Sequence, residues 1–128
     1  MRRVVAGDID PEAVRVALEN ARLNGIGSLL KLYVGPGVRS PLADRPGEFD
    51  LVFANILAKP LRMLAPSLAR VAARDGTLVL SGLLAHDVSG VLSAYAAQGW
   101  RLNRRYDLEG WAALVLKKGG AAPRPRRW

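Results

Sequence analysis

Two hydrophobic periodicities alternate along this 128-residue chain, and their alternation predicts the order of its elements. Short apolar runs over residues 3–6, 29–34, 49–54 and 77–81 are bounded by Gly, Pro, Asn and Asp, and read as strands. Between them the apolar positions shift to helical spacing. Asp10 has the chemistry of an N-cap, Pro11 suits the first helical position and Glu12 the first turn. Val14, Ala17, Leu18 and Ala21 then share one face, and Asn24-Gly25 stops the helix. A second helix is predicted from Pro60, with Leu61, Leu64, Ala65 and Leu68 on its apolar side. A third spans about residues 86–98, turns Val88, Val91, Leu92 and Tyr95 inward, and ends at Gly99.

Residues 35–47, rich in Gly and Pro, form a loop. Asp75-Gly76 predicts a turn into the strand at 77–81, whose unbroken apolar character suits a sheet covered on both faces. Two closing strands, 100–106 and 111–117, are joined so closely around Glu109-Gly110 that they must form an antiparallel hairpin. Trp100, Trp111, Met63 and Tyr95 read as packing residues. The string is α/β: parallel strands with helices on both faces, closed by an antiparallel pair. At this length one domain with a real core is expected, over residues 1–118. Residues 119–128, made of Gly, Ala, Pro, Arg and a last Trp, bury no face and are expected to be a disordered basic tail.

Candidate chemistry sits where strands end. The run Asp50-Leu51-Val52-Phe53-Ala54-Asn55 delivers a polar side chain to the carboxyl end of a buried strand, where ligands bind in open α/β sheets. A neutral amide there holds an amine by hydrogen bonding without neutralising it; alternatively, Asn55 only opens a turn. Asp8 ends the first strand, where a carboxylate accepts ribose hydroxyls in nucleotide-binding folds, or else serves as a second turn carboxylate beside Asp10. A glycine-rich phosphate or cofactor loop belongs about 20 residues before such an acid. Only seven residues precede Asp8, so the chain is expected to start inside its fold.

Composition narrows the classes. The absence of cysteine excludes disulfides, a thiol nucleophile and a thiolate metal site, and the lone His86 reads as a helix-start residue. No metal site is expected. No apolar run reaches the roughly 18 residues of a membrane span, so no membrane association is expected and the cytoplasm is the expected compartment. A net charge of +8 favours acidic partners, with weak RNA contact among them, although Arg124, Arg126 and Arg127 of the tail carry three of those charges.

Two runs together are specific. Gly7-Asp8-Ile9-Asp10-Pro11-Glu12-Ala13-Val14, continued by Glu19-Asn20-Ala21-Arg22-Leu23-Asn24-Gly25, and Ala54-Asn55-Ile56-Leu57-Ala58-Lys59-Pro60-Leu61 resemble segments of the bacterial PrmA methyltransferases, which modify ribosomal protein L11. Leu64-Ala65-Pro66, Leu80-Ser81-Gly82-Leu83-Leu84 and Gly110-Trp111-Ala112-Ala113-Leu114-Val115-Leu116 continue the match in order, to about Lys118. The resemblance implies the C-terminal part of a class I methyltransferase using S-adenosyl-L-methionine, with sheet order 3-2-1-4-5-7-6 and strand seven antiparallel. It implies that Asp8, with Ile9, holds the cofactor. Asn55, also beside the cofactor, and the carbonyl of Ile56 receive the substrate amine, a lysine side chain or an N-terminus.

The family's first strand, glycine-rich loop and first helix have no counterpart here, and Gly35-Pro36-Gly37-Val38 stands where relatives often carry an acid for the adenine. Without a central strand, the strand at residue 3 either pairs directly with that at residue 49, or the halves separate. The expectation is a truncated product or mis-started gene, by descent a protein-amine methyltransferase of a large-subunit ribosomal protein. The alternative is a catalytically inactive basic fragment that binds ribosomal protein or RNA.

Overall fold

The computed structural model describes residues 3–119, so the expected disordered tail lies, from residue 120 on, outside the described residues. The chain divides into two compact units at Pro46/Gly47.

The first unit is a βαβ: β1 (Val4–Asp8), α1 (Pro11–Leu23) and β2 (Leu30–Val34), with β1 and β2 parallel. The β1 strand runs two residues further than residues 3–6 predicted, because Gly7 pairs with Tyr33 and its bare Cα admits the tyrosine ring, which a Cβ would strike. The start of α1 follows the sequence: the Asp10 carboxylate accepts from the Glu12 N–H at 2.9 Å, and Pro11 occupies the first turn. Asn24 caps its other end and Gly25 takes φ +70. Of the predicted inward face only Ala21 is buried; Leu18 remains exposed.

The second unit holds a four-stranded sheet ordered β3-β4-β6-β5, built from β3 (Phe49–Asn55), β4 (Ala72–Leu84), β5 (Trp100–Leu108) and β6 (Trp111–Lys118). The β3–β4 pair is parallel, and β6 is antiparallel to both β4 and β5. Taken separately, the β1-β2 pair and this sheet each keep the neighbour order that the resemblance implies for their strands. The expected direct pairing of these two strands is not formed: β1 and β3 belong to different sheets.

Three elements differ from their sequence reading. The helix expected from Pro60 is two helices, α2 (Ala58–Met63) and α3 (Ala65–Val71), because Pro66 has no N–H to donate back to the preceding turn. That break leaves Met63, read as packing, 73% exposed at the end of α2. The turn expected at Asp75-Gly76 lies inside β4: Ala72 pairs with Phe49 and Thr77 with Leu51, so residues 73–76 bulge opposite Asp50 alone. The third helix begins as a single 3-10 turn, Ala85–Asp87, carrying the exposed His86 before α4 (Val88–Ala96).

The core of this unit lies on one face of its sheet. Leu78, Leu80 and Leu83 of β4 and Leu114 and Leu116 of β6 are fully buried, as are Leu61, Val91 and Tyr95 from the helices. Trp100 joins them, while Leu92 is half-buried. The Tyr95 hydroxyl donates to the Leu61 carbonyl at 3.0 Å and ties α4 to the end of α2. The other face is open, contrary to the expected double cover: Leu51, Phe53, Tyr106 and Trp111 are half exposed or more. Trp111 is therefore a surface residue. Glu109 and Gly110 both take positive φ, the two-residue turn that matches the twist of a hairpin.

Candidate active site

Asn55 is the last residue of β3, one beyond the predicted strand, and sits in register with Ser81 of β4. The backbone pairing fixes its Cα at the carboxyl end of the parallel pair. Alternation along β3 puts Val52 and Ala54 toward the buried leucines of β4 and Phe53 and Asn55 on the open face. Beyond it the chain passes through Ile56 and Leu57 into α2, whose N-cap Leu57 has extended backbone and no side-chain capping bond. Asn55 and Ile56 are exposed, and among the described residues no hydrogen bond engages the Asn55 amide.

Two oxygens converge here. A side-chain carbon on Gly82 of β4 would strike Asn55 Oδ1 and lie 3.8 Å from the Ile56 carbonyl oxygen. The amide oxygen and the carbonyl oxygen thus both border the bare Cα of Gly82, and both are acceptors. Such a pair can take two N–H hydrogens of one amine. Gly82 escaped the sequence reading as a site residue; its only signal was a glycine interrupting an apolar strand.

Asp8 ends β1, paired with Val34, and Ile9 follows it exposed. One carboxylate oxygen, Oδ1, accepts from the Asp10 N–H at 3.0 Å, so Asp8 takes part in the turn before α1, the alternative weighed for it from the sequence. The other oxygen is available for a ligand hydroxyl. The Gly35 N–H donates to the Asp8 carbonyl at 3.0 Å, and Tyr33 Oη donates to the Gly37 carbonyl. The Gly35-Pro36-Gly37 loop is thereby tied to the ends of β1 and β2. Partial burial pushes the Tyr33 phenol above its usual range. Asp8 and Ile9 belong to the first unit, Asn55 and Ile56 to the second.

Among the described residues no cluster of three His, Cys, Asp or Glu side chains could hold a metal ion, and no helix is long and apolar enough to cross a membrane.

The family model of ribosomal protein L11 methyltransferase (PrmA) matches residues 1–119. Ribosomal protein L11 methyltransferase of Bradyrhizobium diazoefficiens is 48% identical over 119 residues, covering 93% of this chain and 40% of the relative. Its Mesorhizobium japonicum counterpart is 46% identical over 114 residues, covering 89% of this chain and 39% of the relative. The chain thus spans about 40% of the length of these curated relatives. The crystal structure of the ribosomal protein L11 methylase of Lactobacillus delbrueckii subsp. bulgaricus superposes with TM-score 0.82 at 32% identity, covering 93% of this chain and 59% of that one. An RNA methyltransferase of Salinibacter ruber, solved with S-adenosyl-L-homocysteine, shares the fold at TM-score 0.64 and 21% identity, covering 98% of this chain and 72% of that one.

Proposed function

This chain belongs to the ribosomal protein L11 methyltransferase family, and from that premise we propose that it is part of the catalytic domain of a cytoplasmic protein N-methyltransferase acting on amino groups of L11. The observation that carries the reading is the convergence of Asn55 Oδ1 and the Ile56 carbonyl at the carboxyl end of β3.

Residues 1–118 supply two parts of the machinery. Asp8 is the cofactor residue. With Oδ1 held by the Asp10 N–H, its Oδ2 would accept the ribose hydroxyls, with Ile9 as its neighbour in the chain. The bound S-adenosyl-L-methionine supplies a methyl group activated on its sulfonium. Asn55 and Ile56 receive the amine, a lysine side chain or an N-terminus. Each oxygen accepts one N–H, which leaves the nitrogen lone pair directed away from both acceptors. Asn55 is neutral, so it holds the uncharged nucleophile without favouring the ammonium form, as a carboxylate would. The chain's own residues would bind and orient the uncharged amine, and the ammonium proton would pass to solvent. No general acid is required, and the site works by orientation.

Calorimetric titration of S-adenosylhomocysteine into the 128-residue chain tests the cofactor half. Saturable binding, weakened by Asp8→Ala and spared by Asn55→Ala, is expected. A folded chain that takes up no ligand would overturn this reading in favour of a basic, non-catalytic fragment that binds ribosomal protein or RNA. For the amine half, Asn55→Ala is expected to lower methyl transfer to L11 while leaving ligand binding unchanged.

A further inference from the structure

A bulge in β4 sets the geometry of the proposed amine site. Leu80 pairs with Leu114 and Leu83 with Ala112, so Ser81 and Gly82 together oppose Ala113 alone. One strand carrying two residues against one bends and twists locally. Ser81 stays paired with Asn55, and Gly82 adopts φ +76, a conformation that disfavours any residue with a Cβ. The bend brings the bare Cα of Gly82 over the end of β3. A Cβ there would collide with Asn55 Oδ1 and lie 3.5 Å from its Cγ.

What must yield in that collision is the far end of a short, exposed side chain. The Ile56 carbonyl, at 3.8 Å, is at ordinary contact distance, and no backbone atom lies closer. A side chain at position 82 therefore swings the Asn55 amide away from the Ile56 carbonyl, beyond the strain that φ +76 places on any residue with a Cβ.

We propose that Gly82 is a positioning residue of the amine site: its bare Cα admits the Asn55 amide to the place where Oδ1 and the Ile56 carbonyl act as a pair. This rests on the reading of Asn55 as the amine acceptor. It predicts that residue 82 acts through Asn55 and has no separate effect on the reaction.

The test compares the parent chain with Gly82→Ala, Asn55→Ala and the double variant. In amide-resolved nuclear magnetic resonance spectra, the side-chain NH2 pair that Asn55→Ala deletes should move in Gly82→Ala, while resonances of the Leu78–Leu114 core stay put. Methyl transfer to L11 should fall on the order of 10²-fold in kcat with little change in KM, as a misplaced orienting group produces. Adding Gly82→Ala to Asn55→Ala should cost nothing further. An unmoved NH2 pair, or losses that multiply in the double variant, would overturn the assignment of Gly82. Parental transfer by Asn55→Ala would instead overturn the acceptor reading of Asn55, a separate result. If Gly82→Ala does not fold, the double variant decides: recovery of the fold without the amide supports the collision, and equal loss assigns the whole effect to the backbone conformation and refutes it.

Discussion

Replacing Tyr95 by Phe removes one oxygen from the centre of the second unit and tests how α2, the helix that follows Asn55, is held. Tyr95 is fully buried, and its hydroxyl donates to the Leu61 carbonyl at 3.0 Å. Leu61 lies in the last turn of the six-residue α2, where carbonyls have no intrahelical partner. The ring remains in Tyr95→Phe, so no large cavity opens and the loss is that of the hydrogen bond. Stranding a buried carbonyl costs about 1–3 kcal/mol. In a unit of this size each kcal/mol lowers Tm by roughly 4–8 °C. The assay is urea unfolding of parent and variant: the midpoint should drop with the slope unchanged, since the surface exposed on unfolding is the same. A pH arm checks the cause. Burial pushes the Tyr95 phenol well above its ordinary value, so above about pH 10 the unfolded chain releases this proton while the folded one keeps it. The unfolded state then binds fewer protons and parental stability falls as pH rises. The variant lacks that contribution and Tyr33 is common to both, so the gap between them should narrow above pH 10. An unchanged midpoint at pH 7, or a gap that widens with pH, would refute the reasoning.

Other outcomes follow from single contacts. Asp10→Ala deletes the 2.9 Å cap on the Glu12 N–H and should destabilise the first unit by about 0.5–2 kcal/mol, read by circular dichroism melting, with Asp10→Asn retaining most of the stability. Glu109 adopts φ +51 at the first position of its hairpin turn, so Glu109→Asn should stabilise the fold by a few tenths to about 1 kcal/mol, read as a higher urea midpoint. Hydrogen exchange should be faster in β1 and β2 than in β4 and β6, because among the described residues the first unit's buried apolar side chains are Ala21 and Ala43 alone, whereas the second buries a leucine layer. Equal protection of the two sheets would count against that division.

Local pattern carried most of the elements. The helical repeat found α1 and α4, and Gly99 ends the latter with φ +84. It misplaced Met63 because the apolar stripe runs past Pro66, while the backbone cannot. Strand order was not legible in any residue pattern, since parallel pairing is a non-local choice. It came from the resemblance, and the sheets β1-β2 and β3-β4-β6-β5 agree with it. The proposed site was legible in half. Asn55 and Asp8 announce themselves as polar residues ending apolar strands. Gly82 does not, because its role lies in a positive φ and a close approach that exist only once β4 bulges against β3 and β6.

The continuous apolar run from Leu78 to Leu80 is where pattern and structure diverge most, and the divergence is informative. Such a run suits a strand buried on both faces, yet Leu78 and Leu80 are buried while Val79 between them is only half-buried. The same holds on β3, where Phe53, in register with Val79, is 72% exposed. Leu51 and Phe53 lead directly to Asn55 on that open face, so the face is continuous with the proposed amine site. A site that works by orientation and by holding an uncharged amine gains from apolar, dry surroundings, because low dielectric favours the neutral nucleophile. The hydrophobic pattern of β3 and the chemistry of Asn55 thus ask for the same thing: cover over the face that carries Leu51 and Phe53. Among the described residues that face is open, which makes the amine site more exposed to water than its chemistry favours.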